Sequence, residues 1–438
     1  MRNKLAVLAA LALSVSPVVA QEQEPEAAWT WRARAEVRAN YRDSKEQRVQ
    51  LRFPFRPEML PVGQTAAFME TPDAGSHAEL SVANVQLDLG YGNFFAARAK
   101  VHAIDKYRAN PTSTDRKVNA DELWLRIGQN PEILERPEKT SFFVQAGKFP
   151  KMERQPLRLL ESYGLAATAF NRLEDVQVMA GGSFGRNLYW RLVGANGNPL
   201  FFRDSNALAG DNGIPELMTR NPNPDIKSGF PILYNAEVEG LFFDTSHVQF
   251  GQAVGYRWQR EDGTLGFDAI VFHYRRTLAQ EVDLEGTFYG GDLDLLDGTA
   301  GISLPISGNK KEETGARLYA EWHGLTAIGQ YTRQDIAGLE REGYEFEAGY
   351  RIPLAYGPLQ YIQPAARFSR LDNDFRGPAT FPAPSVWWPW AKTDVGVRIG
   401  FTRGLDVTVE YSTHEITTPA AIDPNPTETL VTLRWRVG

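Results

Sequence analysis

The sequence predicts an all-β fold: a transmembrane antiparallel β-barrel of about 18 strands, with 16 as the other even count its runs allow. Three observations predict it. Apolar and polar residues alternate with period two along runs of strand length. The connections between those runs alternate between short and long. No stretch after residue 20 approaches the 18 apolar residues that a membrane-crossing helix needs.

The first run shows the alternation most clearly. Trp29, Trp31, Ala33, Ala35, Val37, Ala39 and Tyr41 form one parity class, and Thr30, Arg32, Arg34, Glu36, Arg38, Asn40 and Arg42 form the other. A helix would bring i and i+4 together and mix such classes, whereas a strand separates them onto two faces. The same pattern recurs at Val248–Trp258, Tyr344–Ile352, Leu405–Ser412 and Val431–Val437. In chain order the candidate strands are 29–41, 46–55, 78–89, 94–104, 120–128, 141–148, 174–183, 186–195, 233–243, 246–259, 265–275, 280–290, 314–323, 325–334, 342–353, 359–371, 392–402, 405–415 and 428–437. Most have the ~9–11 residues or slightly more that a tilted spanning strand requires. An even count requires one of the first two candidates to merge or drop, which leaves 18.

Tight turns are expected near 90–93, 184–185, 244–245, 276–279, 324, 355–358 and 403–404, with long segments at 105–119, 149–173, 196–232, 291–313, 372–391 and 416–427. Short on one side and long on the other is how bacterial barrels are connected. Three connections break the pattern: 129–140 is of medium length, and 260–264 and 335–341 are short where the long side is expected. A soluble sandwich would bury its apolar face with shorter strands and would not line the other face with long charged side chains.

The N-terminus reads as a secretory signal over residues 1–20. Arg2 and Lys4 precede an apolar run from Leu5 to Val15, and Val18 and Ala20 stand at the small-residue positions before Gln21. Residues 21–438 then form a single barrel domain. Removing Arg2 and Lys4 from 47 basic residues leaves 45 against 54 acidic ones, a net −9, which argues against nucleic acid as a partner. The chain has no cysteine, so thiolate chemistry and disulfides are excluded.

A closed barrel satisfies its backbone between strands, so its apolar parity class faces lipid and its charged class faces the interior. By parity the pore lining receives Arg32, Arg34, Arg38, Arg98, Lys100, Arg126, Arg257, Arg317, Arg351, Arg398, Arg434 and Arg436, together with Glu36, Asp88, Glu122, Glu321, Glu345, Glu347, Asp394, Asp406 and Glu410. Lys or Arg on the lipid face near the midplane would cost ~2–4 kcal/mol each. The interior is therefore expected to be wet and to pass small hydrophilic solutes. Aromatics at the strand ends (Trp29, Trp31, Tyr256, Trp258, Phe401, Tyr411, Trp435) fit interfacial girdles, and Trp387, Trp388 and Trp390 fit anchoring at the membrane surface.

The segment Lys148–Asp175 is the most distinctive connection. It either folds into the barrel and narrows it or lies solvated outside. In the first case Lys148, Lys151, Arg154, Arg158 and Arg172 are the candidate constriction, where fixed charge filters ions.

Here the chain resembles a family. DELWLRIG, then FVQAGKFPKMERQPLRLLESYG, then NRLEDVQVMAGGSFGRNLYWRLVGANGNP resembles the phosphate-selective porin O/P type of outer-membrane protein, over about 80 of 438 residues. That resemblance implies a passive channel in the outer membrane of a Gram-negative bacterium. It also implies anion preference, with Lys148, Lys151, Arg154 and Arg172 at the constriction. The family's second lysine-rich loop has no match here. The same segment is similar to alginate-export barrels, in which an arginine-rich wall would pass an anionic polysaccharide. A barrel whose loops plug the pore and serve binding or structure is a third reading. Implied partners are outer-membrane lipid and lipopolysaccharide, the barrel-assembly machinery, and small polar solutes or anions. Porins of this sort often form homotrimers and alginate-type barrels stand singly, so the assembly stays open. The usual terminal aromatic of such barrels is replaced by Gly438.

Nothing points to an enzyme, a cofactor or a bound metal. HExxH and P-loop patterns are missing. His102, His323 and His414 fall on lumen parity. Asp406, Ser412 and His414 share one strand face, but i, i+2 neighbours lie ~7 Å apart and form no known triad. Asp211-Asn212-Gly213 and Asp372-Asn373-Asp374 read as turn chemistry rather than calcium loops.

Overall fold

A computed structural model describes residues 28–45, 48–50, 68–70, 75–103, 118–131, 134, 140–171, 174–197, 243, 245–246, 248–277, 309–336, 338–373, 389–417 and 425–438. The expected signal peptide, Arg172, the Asp211–Gly213 turn, the candidate strands 233–243 (all but its last residue) and 280–290, and Trp387 and Trp388 lie outside those residues.

In chain order the strands are β1 (Trp29–Ser44), β2 (Arg48–Gln50), β3 (Phe68–Glu70), β4 (Gly75–Tyr91), β5 (Phe95–Ala103), β6 (Val118–Gly128), β7 (Ser141–Pro150), β8 (Glu174–Phe184), β9 (Leu188–Ala195), β10 (Gln249–Gln259), β11 (Leu265–Thr277), β12 (Lys310–Trp322), β13 (Leu325–Ile336), β14 (Leu339–Tyr350), β15 (Ile352–Tyr356), β16 (Leu359–Asn373), β17 (Trp390–Phe401), β18 (Leu405–Ile416) and β19 (Thr427–Val437). Each neighbouring pair in the large sheet is antiparallel, and β1 closes it by pairing with both β4 and β19. β14 and β15 are one stave interrupted at Arg351, since both pair with β16. β2 and β3 form a separate ribbon. The barrel therefore has 16 staves, a number at which side chains no longer fill the interior and an aqueous bore remains.

The expected count of 18 is corrected to 16. β9 pairs directly with β10, and β11 directly with β12, so no stave from 233–243 or 280–290 stands between them. Of candidate 46–55, the described residues 48–50 form β2, in the ribbon outside the barrel. Dropping these three also repairs the bookkeeping of the connections. Residues 260–264 now fall at the same end as the turns 92–94, 185–187, 323–324 and 402–404, with the start of β1 and the end of β19; 129–140 joins its strands at this end too, and the other long connections fall at the opposite end. We call these the turn end and the loop end. Only 337–338 is short at the loop end.

Local chemistry supports the tight turns. His323 and Gly324 both have positive φ (45° and 88°), the two-residue hairpin geometry whose twist matches the flanking strands. Gly147 is the other decisive glycine. Its φ is +130°, and a Cβ there would stand 2.1 Å from the carbonyl oxygen of Leu123. Only glycine therefore fits where β7 passes β6 this closely, three residues before the chain turns into the bore.

Burial is inverted relative to a water-soluble protein. Arg257, Arg341 and Arg367 are among the largest fully buried side chains, whereas Val85, Leu125, Val271, Phe346 and Leu433 are exposed. Outward positions on β1, Trp29 and Trp31, stand at the turn end with Tyr91 and Phe95 packed near Trp29 (ring centroids 5.0 and 6.0 Å), as an interfacial girdle requires. An apolar wall around a charged interior is stable only where hydrocarbon replaces water outside. Val271 lies mid-strand on β11 and is 60% exposed. Val271→Arg should therefore destabilise the folded barrel by ~2–4 kcal/mol in lipid. Urea titration in bilayer vesicles measures this, and an unchanged midpoint would place β11 away from the membrane.

The inside is not uniformly polar, contrary to the simple parity reading. Phe143, Met179, Tyr189, Val193, Ile270, Phe272 and Tyr274 form an apolar core inside the wall of β7–β11. On β11 both faces are apolar, Ile270 and Phe272 inward and Val271 outward.

Candidate functional site

The connection after β7 supplies the internal structure. Residues 151–171 cross the bore and return, ending in a π-helical turn at Ala167–Asn171 whose residues are all buried. The driving force is the satisfaction of a non-repetitive backbone inside a wall of ionised side chains. Such a segment leaves N–H and C=O groups unpaired, and here the charged strand faces take them.

The contacts run round more than half the circumference. Glu347 on β14 accepts from the amides of Leu159 and Leu160 (2.8 and 2.9 Å), and Glu410 on β18 from those of Glu161 and Ser162. Ser369 on β16 receives the Leu165 amide at 3.1 Å. In the opposite sense, Arg367 donates to the Ser162 carbonyl (2.9 Å), Lys392 to that of Tyr163 (2.7 Å), Arg341 to that of Ala169 (3.1 Å) and Arg317 to that of Arg154 (3.1 Å). Lys151 Nζ reaches Glu153 (3.0 Å), Glu313 and the Phe170 carbonyl (3.1 Å), which draws the two legs of the segment together. Several of these strand residues, Arg341, Arg367 and Lys392 among them, were not singled out from the sequence. They carry the same parity signal as those that were.

At the apex, Glu161 faces three guanidiniums: Arg398 (2.6 Å), Arg434 (2.8 Å) and Arg38 (3.6 Å). Burial by itself would raise this carboxyl's pKa. The cations Arg38, Arg434, Arg398 and Arg158 outweigh that and hold it at about 2. The charge is therefore present throughout the physiological range.

Two chambers lined by described residues border the segment. The larger, about 1480 Å³, runs along the β4–β12 wall, from Gln129 and Gln259 near the turn end to Lys151 and Glu174 at the loop end of β7 and β8. The smaller, about 580 Å³, opens near the turns at Gly263 and His323 and meets Leu159, Leu160 and Glu161. Both share Leu157, Arg158 and Glu321.

The pore-lining expectations distribute between these chambers. Arg34, Arg98, Lys100, Arg126, Arg257 and Arg317 line the larger, and Arg38, Arg351, Arg398, Arg434 and Arg436 the smaller. Arg32 lines neither and is exposed on β1, paired in register with Asp88. Of the constriction candidates, Lys151, Arg154 and Arg158 line the larger chamber. Lys148 is instead buried in β7, between Leu123 and Val176 in register. Arg158 stacks on Tyr163 (3.6 Å to the ring centroid) and donates to the Glu161 carbonyl, while Arg154 pairs with Glu174.

Aromatics on the inner face were missed, because an aromatic in an alternating run reads as lipid-facing. Trp124 lies under both Arg98 (5.4 Å) and Arg126 (5.5 Å), and Tyr189 under both Arg191 (4.8 Å) and Arg257 (4.2 Å). Stacking holds these planar cations in fixed positions along the larger chamber. Asn130, Pro131 and Leu134, after β6, also reach inward. Asn130 and Pro131 accept from Arg191 and Arg257, and Leu134 packs on Tyr319 and Ile328. The face shared by Asp406, Ser412 and His414 is no triad: Ser412 donates to Asp394, and His414 Nδ1 accepts from the Trp390 indole at 3.0 Å.

No family model matches the chain, and no curated protein matches it in sequence. Solved structures do match in fold. The outer membrane channel DcaP of Acinetobacter baumannii has a TM-score of 0.51 at 10% identity, over 93% of this chain and 97% of that one. OprB of Pseudomonas putida, in its high-pH structure, has a TM-score of 0.50 at 9% identity, over 93% of this chain and 94% of that one. At these identities the likeness establishes the barrel fold.

Proposed function

We propose that this chain is a porin of the Gram-negative outer membrane, a passive diffusion channel for small hydrophilic solutes with a preference for anions. One observation carries the sign of that preference. The larger chamber is lined by ten basic side chains and five acidic ones, in a chain whose formal net charge is −7. Cations are thus concentrated on the bore of an otherwise acidic protein. A low-dielectric wall focuses their field on the solution inside, raising local anion concentration. The reading is supported by the apolar outer wall and by the fold shared with an outer membrane channel. Lipid, lipopolysaccharide and the assembly machinery of that membrane are its expected partners. Lys151, Arg154 and Arg158, with the wall cations opposite, are the proposed constriction, and phosphate is one candidate within the anion class.

Reversal potential across a salt gradient in planar bilayers tests this. The unmodified protein should show stepwise currents with the sign of anion preference. Arg98→Glu with Arg126→Glu should move the potential towards cation preference. Currents that favour cations in the unmodified protein would refute the anion reading, and a barrel without current steps would be a plugged one.

A further inference from the structure

The smaller chamber ends on a cluster with an unusual division of labour. The wall holds the three guanidiniums from behind, without help from the inward segment. Arg434 is gripped by Asp406 (3.1 and 2.9 Å), Arg398 Nε donates to Thr408 (3.2 Å), and Arg38 Nε pairs with Glu36. Their remaining faces converge on one carboxylate, Glu161, which belongs to the segment. The segment's backbone is meanwhile held at the same place by other groups. Glu410 takes the amides of Glu161 and Ser162, and Arg367 takes the Ser162 carbonyl. The side chain of Glu161 can therefore swing away while its backbone stays.

We propose that Arg38, Arg398 and Arg434 form a binding site for a small oxyanion, a carboxylate or phosphate, and that the Glu161 carboxylate is a tethered stand-in occupying that site at rest. The geometry a free oxyanion needs is already built: paired N–H donors from two guanidiniums, with a third cation near. The chamber of about 580 Å³ leads to it, far more than the ~30 Å³ of a water molecule or the few such volumes of a small oxyanion. The displaced carboxylate stays tethered in the chamber, so an entering anion adds its own charge there, and Glu161→Gln removes the competing one. Phosphate and acetate share the recognising chemistry, and the affinity ratio between them tells which the site prefers. Binding is independent of conduction, so it is testable whether or not the channel reading holds.

The tethered carboxylate lowers the apparent affinity for any free competitor by the fraction of time it leaves the site open. Glu161→Gln keeps the shape and removes the charge. In calorimetric titration of the full refolded chain in detergent, Glu161→Gln and Glu161→Ala should bind inorganic phosphate or acetate on the order of tenfold more tightly than the unmodified protein. Adding Arg398→Met to Glu161→Gln should abolish that gain. The proposal is overturned if neither variant binds either anion more tightly, or if the gain survives Arg398→Met. It is equally overturned if neither variant refolds, since the carboxylate would then be a folding element rather than a displaceable ligand.

Discussion

Replacing residues 153–169 by a short Gly-Ser bridge should raise single-channel conductance severalfold while leaving the barrel assembled. The bridge is short because the legs of the segment already approach: Lys151 Nζ donates to the Phe170 carbonyl at 3.1 Å. No strand pairing is lost, because β7 ends at Pro150 and pairs with β8 independently of the excised residues. Conductance rises because the segment fills the cross-section from the β7–β8 wall to the cluster on β1, β17 and β19. The freed wall groups, Glu347, Glu410 and Arg367, then hydrate in a wider aqueous bore instead of facing protein. Planar-bilayer recordings compare the step size directly. Equal conductance in the two proteins would mean that the segment lies off the conducting path, and the constriction reading would fall.

The second large effect is on stability. Arg367 is fully buried and binds four groups: Asp394 (2.8 Å), Glu347 (3.8 Å), and the carbonyl and hydroxyl of Ser162 (2.9 and 2.6 Å). Arg367→Met keeps the volume but removes the guanidinium between two buried carboxylates, leaving Asp394 to Lys392 (2.9 Å) and Ser412 and Glu347 to the amides of Leu159 and Leu160, an imbalance that costs up to ~3–5 kcal/mol. A marked drop in the thermal midpoint of the detergent-folded barrel is expected. Adding Asp394→Asn should recover part of it, since the loss is uncompensated charge rather than lost packing. A single variant as stable as the parent would show that water, not the arginine, neutralises this cluster.

The barrel staves were legible in the sequence because strand alternation is local. Each of the 16 staves coincides with a candidate run, and Arg38, Arg98, Arg257 and Arg434, expected inside by parity, stand on the two chambers. The surplus candidates have no place in the wall because a run of strand-like residues does not say which partner it finds: β9 pairs with β10 and β11 with β12, and residues 48–50 of the candidate 46–55 pair with β3 instead. Trp124 and Tyr189 were not singled out, because aromatics suit both lipid and a stacked guanidinium, and only the neighbour decides.

The sequence by itself determined that the chain separates greasy from ionised side chains at every second position, and hence that it closes a cylinder with charge inside. Only the tertiary structure decided where residues 151–171 go and which of their groups meet which strand. Glu161 and Arg434 are 273 positions apart, and Glu347 and Leu159 are 188 apart. Period-two patterning reports the face on which a side chain lies. It carries no information about what stands across a bore, because that is settled by closure of the sheet and by the need of a buried backbone for partners.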